Sequence, residues 1–469
     1  MTIEAGEVIL RSEPFCAILE GQAVQSHCSF CFFRIESDEL LKCSACRVTR
    51  YCDEECKLQD VESHQDECSI LAENPDICDS VRMVVKLILK LDRNKECGVD
   101  NAEVYSGGTR SFEDLMSHKE HLSQEGENFT LIQKFHRVMS GLLGPKAPNF
   151  ETFLEIYGRL IINGFEICDG NQSIKGWGLY LAPSILDHSC APNATVSFLG
   201  RTIFVRTLVD MESPLKWNEV RISYIDLMET SEMRQKKLLE QYQFHCDCPR
   251  CVSSTRQLMF KTEGSKPCLP KSEALLYCMR CQHCSGRPVY IGPPEPDLSM
   301  ASISNNNNNN HCPNICQNCE QPPSMEHLKK YYQIYEKVDH ALERDERLST
   351  KELASFFSEM TGLFYPQHRL MVRIAENLFE ANFRFGETLP AFEYGSVCDK
   401  AYQEYGAHGP RYLGSFYSRW ALVLERMGKA KQAIEVNQKA LNILQGSHGR
   451  THSMWIRTKA RVDQLLQNK

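Results

Sequence analysis

Between residues 28 and 68 the chain places seven thiols and one imidazole in four tight steps: Cys28-x2-Cys31, Cys43-x2-Cys46, Cys52-x3-Cys56 and His64-x3-Cys68. A Cys-x2-Cys turn presents two thiolates to one ion, and zinc takes four such soft or borderline ligands in a tetrahedron. Eight ligands therefore make two complete sites. A segment of about forty residues cannot bury enough apolar surface to fold alone, so metal binding would supply its folding free energy. The two closing x3 pairs suit one face of a short helix.

The rest of the chain agrees with metal rather than disulfide chemistry. It holds 23 cysteines in 469 residues. Its start has no apolar signal region, being broken by Glu4, Glu7, Arg11 and Glu13. A reducing compartment, cytoplasm and nucleus, is expected, where cysteines serve metals. The best apolar run, Met83 to Leu91, is interrupted by Lys86 and Lys90 and falls short of the ~18 residues that span a bilayer. No membrane partner is expected. A net charge of −8 argues against a general grip on phosphates, so direct DNA binding is not expected either. The length allows about three domains.

A second constellation starts at Asp187-His188-Ser189-Cys190-Ala191-Pro192-Asn193 and continues through Ile222-Ser223-Tyr224, Tyr242, Phe244 and Cys246-x-Cys248-x2-Cys251. Three closely spaced cysteines leave a zinc one ligand short, and Cys190 is the natural fourth. Residues 194–198 and 202–206, joined at Gly200, read as a hairpin, with 220–224 as a third strand.

The first cluster resembles a MYND zinc finger, including the Tyr51-Cys52 step into its third pair. The second is similar to a SET domain with its cysteine-rich post-SET tail. The order of parts over nearly the whole chain is similar to the SMYD family of SET-and-MYND protein-lysine methyltransferases. Asn163-Gly164-Phe165 ahead of Gly178-Leu179-Tyr180, and Asp114-Leu115, extend the likeness. It implies an α+β fold: a zinc-bound MYND finger (25–70) inserted in a β-rich SET domain, with an N-terminal SET segment (1–24). A helical linker and insert (71–150), the core SET (151–245), the post-SET and cysteine-rich insert (246–325) and a TPR-like helical domain (326–469) follow.

The resemblance also implies interleaved zinc sites, Cys28, Cys31, Cys52 and Cys56 on one ion and Cys43, Cys46, His64 and Cys68 on the other. The implied activity is S-adenosyl-L-methionine-dependent methylation of lysine side chains on histone or other proteins. Tyr224 and Tyr242 would line the lysine channel as catalytic residues. Asn163, Asp187, the backbone around His188, the ring of Phe244 and His118 would hold the cofactor. Proline-rich peptides at the finger and helical partners at the tail are implied partners, and a monomer is expected. A catalytically weak adaptor in transcriptional or signalling complexes is the alternative reading. Its motive is that relatives carry a Gly-x-Gly cofactor loop ahead of the segment matching Glu4-Ala-Gly-Glu-Val-Ile, and this chain begins after it, so residues 1–24 read as a truncated segment. Asp187 also stands where the family has Asn, offering only acceptors when ionised.

Cys281-x2-Cys284 and Cys316-x2-Cys319 form a further pair of turns, a possible fourth zinc site, with Cys278 and Cys312 as competing ligands. The Asn305–Asn310 run between them reads as a disordered loop tip. From about residue 326 the pattern becomes helical. Arg384-Phe-Gly386 with Ala391-Phe392 recurs 42 residues later as Arg426-Met-Gly428 with Ala433-Ile434, and His408-Gly409 recurs as His448-Gly449. Paired helices at such a period indicate a tetratricopeptide-like stack.

Overall fold

The structure, a computed structural model, describes residues 2–35, 40–170, 173–252, 275–284, 286–291, 315–316, 318–343, 348–405 and 410–467. The Asn305–Asn310 run, Cys312 and His408-Gly409 lie outside the described residues.

Two small antiparallel sheets form the centre of the first lobe. One has the order Ala194–Leu199, Thr202–Thr207, Val8–Ser12, and the other Cys16–Leu19, Ile174–Leu179, Gly164–Cys168. Their facing residues Leu19, Ile167, Phe198 and Ile203 bury a shared core around Tyr180. Alternation along Thr202–Thr207, with Ile203, Val205 and Thr207 buried, is the period-2 pattern that puts one strand face inward. Three helices, Asp79–Cys97, Glu127–Leu143 and Phe150–Asn163, cover the second sheet. The last starts at Asn149, whose side chain accepts the Thr152 N–H, a side-chain N-cap.

The hairpin of 194–207 is as expected, but its neighbour is not. The third strand of that sheet is Val8–Ser12, while the expected strand at 220–224 shrinks to Arg221–Ile222 and pairs in parallel with Asp187–His188. The reason is local. Asn193 takes the Arg221 N–H on its Oδ1 and gives its own N–H to the Arg221 carbonyl, and the Tyr224 N–H goes to a ring nitrogen of His188. Side chains replace the ladder that a longer strand would need.

The finger consists of the Leu41–Lys42/Arg50–Tyr51 pair and two helices, Glu54–Gln59 and Val61–Glu73. Cys56 sits in the first helix, with Asp53 capping it through the Cys56 N–H at 2.7 Å, and His64 and Cys68 lie one turn apart in the second. The finger docks on the hairpin turn. Gly200 is left-handed (φ +59°), and a Cβ there would stand 2.3 Å from the Cys31 carbonyl oxygen, so only glycine permits this approach.

The second lobe is helical, with Met325–Glu343, Thr350–Met360, Arg369–Phe385, Thr388–Tyr405, Pro410–Arg426, Ala430–Ser447 and Ser453–Gln467 among the described residues. The 42-residue repeat is visible in three dimensions. Gly386 and Gly428 end their helices at φ +79° and +71°. In each, the glycine N–H and the next one turn back onto the last helical carbonyls, the double-bonded C-cap that glycine favours. Ala391 and Ala433 are then buried at matching places in the following helices. The helices Pro410–Arg426 and Ala430–Ser447 pack against the 194–207 hairpin, and Arg206 donates to the Gly6 carbonyl beside Gly449. Among the described residues no helix is long and apolar enough to cross a membrane.

Candidate functional site

Among the described residues, folding gathers the ligand-type side chains into four groups: Cys28, Cys31, Cys52 and Cys56; Cys43, Cys46, His64 and Cys68; Cys190, Cys246, Cys248 and Cys251; Cys281, Cys284, Cys316 and Cys319. In each, the potential ligand atoms lie within 4.8 Å of one another. Sulfurs bound to one tetrahedral zinc at ~2.3 Å stand about 3.8 Å apart. Cys31–Cys52 at 3.9 Å, Cys43–Cys68 at 3.7 Å and Cys190–Cys251 at 3.6 Å match that edge. The donor set and the spacing both fit zinc, and the finger's two groups interleave along the chain. Cys278, a competitor on sequence, is buried in the hydrophobic core of the second lobe instead.

Neighbouring side chains orient the ligands. His64 points Nε2 at Cys46 (3.6 Å) and its Nδ1 at the buried Glu67 carboxylate (3.8 Å). Burial alone would raise the Glu67 carboxyl. Arg82 at 2.9 Å and Lys86 at 3.4 Å, both from the covering helix, hold it well below the usual range. The finger is thus wired into the first lobe through charge as well as packing.

The Cys190 group is joined to a pocket by one histidine. His188 Nδ1 accepts the Tyr224 N–H at 3.0 Å, and its Nε2 lies 3.2 Å from Cys190 Sγ. Burial pushes the imidazole down to about 4, so the ring is neutral. With Nδ1 as acceptor, Nε2 carries the proton and donates toward the thiolate. The helix Ser231–Tyr242 is clamped to the same group: Gln235 takes the Cys246 N–H at 2.8 Å, and Arg234 reaches Cys251 Sγ at 3.9 Å. Tyr242 is its last residue, because Gln243 turns left-handed.

The two tyrosines meet here, ring centroids 4.9 Å apart. Tyr224 donates its hydroxyl to the Leu186 carbonyl. Burial pushes the Tyr224 phenol well above its ordinary value and Tyr242 up to about 12, so both stay protonated. They face a cavity of about 650 Å³ walled also by Asn163, Ser184, Leu186, Trp177 and Asp226. Tyr224 also walls a second cavity, of about 450 Å³, between Pro192, Thr195 and Asp226 on one side and Glu376 and Tyr412 of the helical lobe on the other. Volumes of this size suit a small molecule or one extended side chain.

Of the proposed cofactor residues, Asn163 lines the larger cavity, its amide fixed by the Met116 and Arg159 carbonyls at 2.9 and 2.8 Å. Asp187, His188, Phe244 and His118 stand outside that wall. Asp187 is exposed and faces Arg221 at 3.7 Å, Phe244 packs on His188 at 6.1 Å, and His118 begins a short helix in a left-handed conformation. Sequence reasoning missed Ser184, Leu186, Glu166 and Asp226, and it missed Glu376 and Tyr412 altogether. Asp226, two residues beyond Tyr224, could have been found from its place beside the motif. Nothing local marks the two residues from the second lobe.

Fold and site together define a multi-zinc α+β protein whose tyrosine-lined pocket opens between a finger-bearing lobe and a helical lobe. Residues 28–68 match the MYND finger family. The chain is 27% identical to the histone-lysine N-methyltransferase ASHR1 of Arabidopsis thaliana, over 95% of this chain and 87% of that protein. It is 33% identical to the histone-lysine N-methyltransferase SMYD3 of Mus musculus, over 54% of this chain and 58% of that protein. It is 25% identical to the N-lysine methyltransferase SMYD2-A of Danio rerio, over 96% and 91%. Over most of its length the chain is therefore similar to proteins of the SMYD family.

Proposed function

We propose that the protein is an S-adenosylmethionine-dependent protein-lysine N-methyltransferase. The observation that carries this reading is the position of Tyr224, in the wall of both cavities and in ring contact with Tyr242. The names of the relatives support the same class of reaction. Asn163, Ser184 and the Leu186 backbone would hold the methyl donor in the larger cavity. When bound, that donor supplies a methyl group on a sulfonium sulfur.

The chain's own part is to deliver a neutral amine in line with that methyl. Glu166 and Asp226, exposed at the pocket, attract a lysine ammonium from solution. Deeper in, Val196, Ile222 and the two phenols replace water. Low polarity there disfavours the charged amine and promotes loss of its proton. Tyr224 is held on both its hydroxyl and its backbone N–H, so its oxygen is a fixed acceptor for the amine and for weak C–H···O contacts. Positioning and exclusion of water then account for most of the rate. The finger as a dock for proline-rich peptides, and the helical lobe as a TPR-like surface for protein partners, belong to the same proposal.

Titration calorimetry of zinc-replete protein with S-adenosylmethionine, followed by transfer of labelled methyl to lysine-bearing proteins, tests it. Saturable binding and label recovered on lysine are expected. Absence of binding by folded, zinc-loaded protein would rule the reading out.

A further inference from the structure

The Cys281–Cys319 group lies outside the pocket and outside the finger, on the stretch that joins the two lobes. Its two turns are built alike. In the first, the His283 N–H points at Cys281 Sγ (3.3 Å), and the Cys281 N–H closes the loop on the Arg287 carbonyl (2.8 Å). In the second, the Asn318 N–H points at Cys316 Sγ (3.5 Å), and the Cys316 N–H closes on the Gln321 carbonyl (3.0 Å). Gly286 and Glu320, each one residue before the closing carbonyl, take the left-handed conformation, φ +64° and +57°, the first turn being one residue longer than the second. Paired across the turns, Cys281–Cys319 and Cys284–Cys316 are 3.6 and 3.5 Å apart. That is near the ~3.8 Å edge of a zinc tetrahedron and far beyond the ~2.05 Å of a disulfide.

We propose that these four thiolates hold a further structural zinc ion, and that this ion staples the joining segment to the helical lobe. The strand Cys278–Arg280 leads into the first turn, pairs with Pro288–Tyr290 on one edge and is bonded to the helical lobe along the other. The Arg280 N–H reaches the Leu363 carbonyl at 2.8 Å, and the Tyr365 N–H reaches the Cys278 carbonyl at 3.0 Å. The second turn runs into Ser324, which caps the helix Met325–Glu343 through the His327 N–H and touches Gln282 of the first turn, each at 3.2 Å. One ion therefore ties together two entries into the lobe whose cysteine pairs are separated by 31 residues. A metal that closes so long a loop removes much of its chain entropy. Just before the strand, Tyr277 lies under Arg369 at 5.4 Å, and Arg369 meets Glu229 at 3.4 Å, five residues beyond Tyr224. The staple thus bears on how the helical lobe sits over the pocket.

The test does not depend on methyl transfer. Elemental analysis of the full chain is expected to find four zinc ions per molecule. Cys316→Ser with Cys319→Ser should hold three, and Cys319→His, which keeps a ligand, should hold four. Three ions in the unaltered protein, or four in the double serine variant, overturns the site. If the serine variant fails to fold, the count on the unaltered chain still decides. Hydrogen exchange reads the staple itself: in the folded serine variant the Arg280 and Tyr365 amides should exchange about tenfold faster or more, as a locally opened unit does. Unchanged exchange at those two amides overturns the stapling role.

Discussion

At Tyr224 a single residue is held from three directions, its hydroxyl by the Leu186 carbonyl, its backbone N–H by the His188 ring and its own ring by the face of Tyr242. Removing its hydroxyl leaves the ring packing intact and deletes the fixed oxygen. Tyr224→Phe is therefore expected to lower kcat about a hundredfold, or ~2.7 kcal/mol in the barrier, with cofactor affinity nearly unchanged; steady-state kinetics beside calorimetry measures the split. A second residue carries a pH signature. Burial pushes Glu376 up to about 8 from an ordinary 4.5, although the Tyr402 hydroxyl bonded to it pulls the other way, with Tyr412, Asp226, Arg373 and Glu380 around it. A raised acid binds its extra proton in the folded chain, so stability is fully present below about pH 4.5 and falls as pH rises toward 8. Glu376→Gln should flatten that decline, and parallel melting curves for the two proteins between those limits would refute it. Tyr224 could be singled out in the sequence because it sits in an ordered signature. Glu376 could not, because its meaning comes from Tyr402 and the facing lobe, and in its own helix it is an ordinary polar position.

Two glycines isolate what the elements ask of the backbone. Gly200 and Gly428 have similar left-handed angles, φ +59° and +71°, but a Cβ at Gly428 meets nothing within 4 Å while one at Gly200 meets the Cys31 carbonyl at 2.3 Å. Gly428→Ala should cost about 1–2 kcal/mol from conformation alone. Gly200→Ala should cost at least ~1 kcal/mol more, because the finger must also shift off the hairpin. Equal costs in denaturant titrations would mean that the finger is not pressed on that turn. The same contrast explains what could be read beforehand. The helix-ending Gly386 and Gly428 repeat in sequence with their buried alanines, since a cap and the packing behind it are local. Strand partners are not local: Arg221–Ile222 has β-branched character but is claimed by Asn193 and His188, and the vacant place beside Thr202–Thr207 goes to Val8–Ser12, almost two hundred residues away.

Across the whole molecule, the lobes are locked through one guanidinium. Arg369 is only 4% exposed, lies 2.6 Å from Asp339 and 3.4 Å from Glu229, and is sandwiched against the rings of Tyr277 and Tyr335 at 5.4 and 5.5 Å. Glu229 comes from the pocket-bearing lobe and is also met by Lys237 at 3.0 Å; Asp339 comes from the helical lobe. No short motif could announce this hub, since its members lie between residues 229 and 369 and each is unremarkable in its own segment. Arg369→Met keeps most of the stacking volume but strands the Asp339 carboxylate and leaves Glu229 with Lys237 alone. Breaking a buried pair from one side costs about 3–5 kcal/mol, whereas loss of an exposed pair costs under ~1 kcal/mol. The larger figure is expected here, and because the hub spans the lobes, the loss should fall on their coupling. Calorimetry of the variant should resolve two melting transitions in place of one concerted transition, with the zinc content unchanged. A single transition shifted by less than ~1 kcal/mol would mean that apolar packing, not this charge cluster, holds the helical lobe over the pocket.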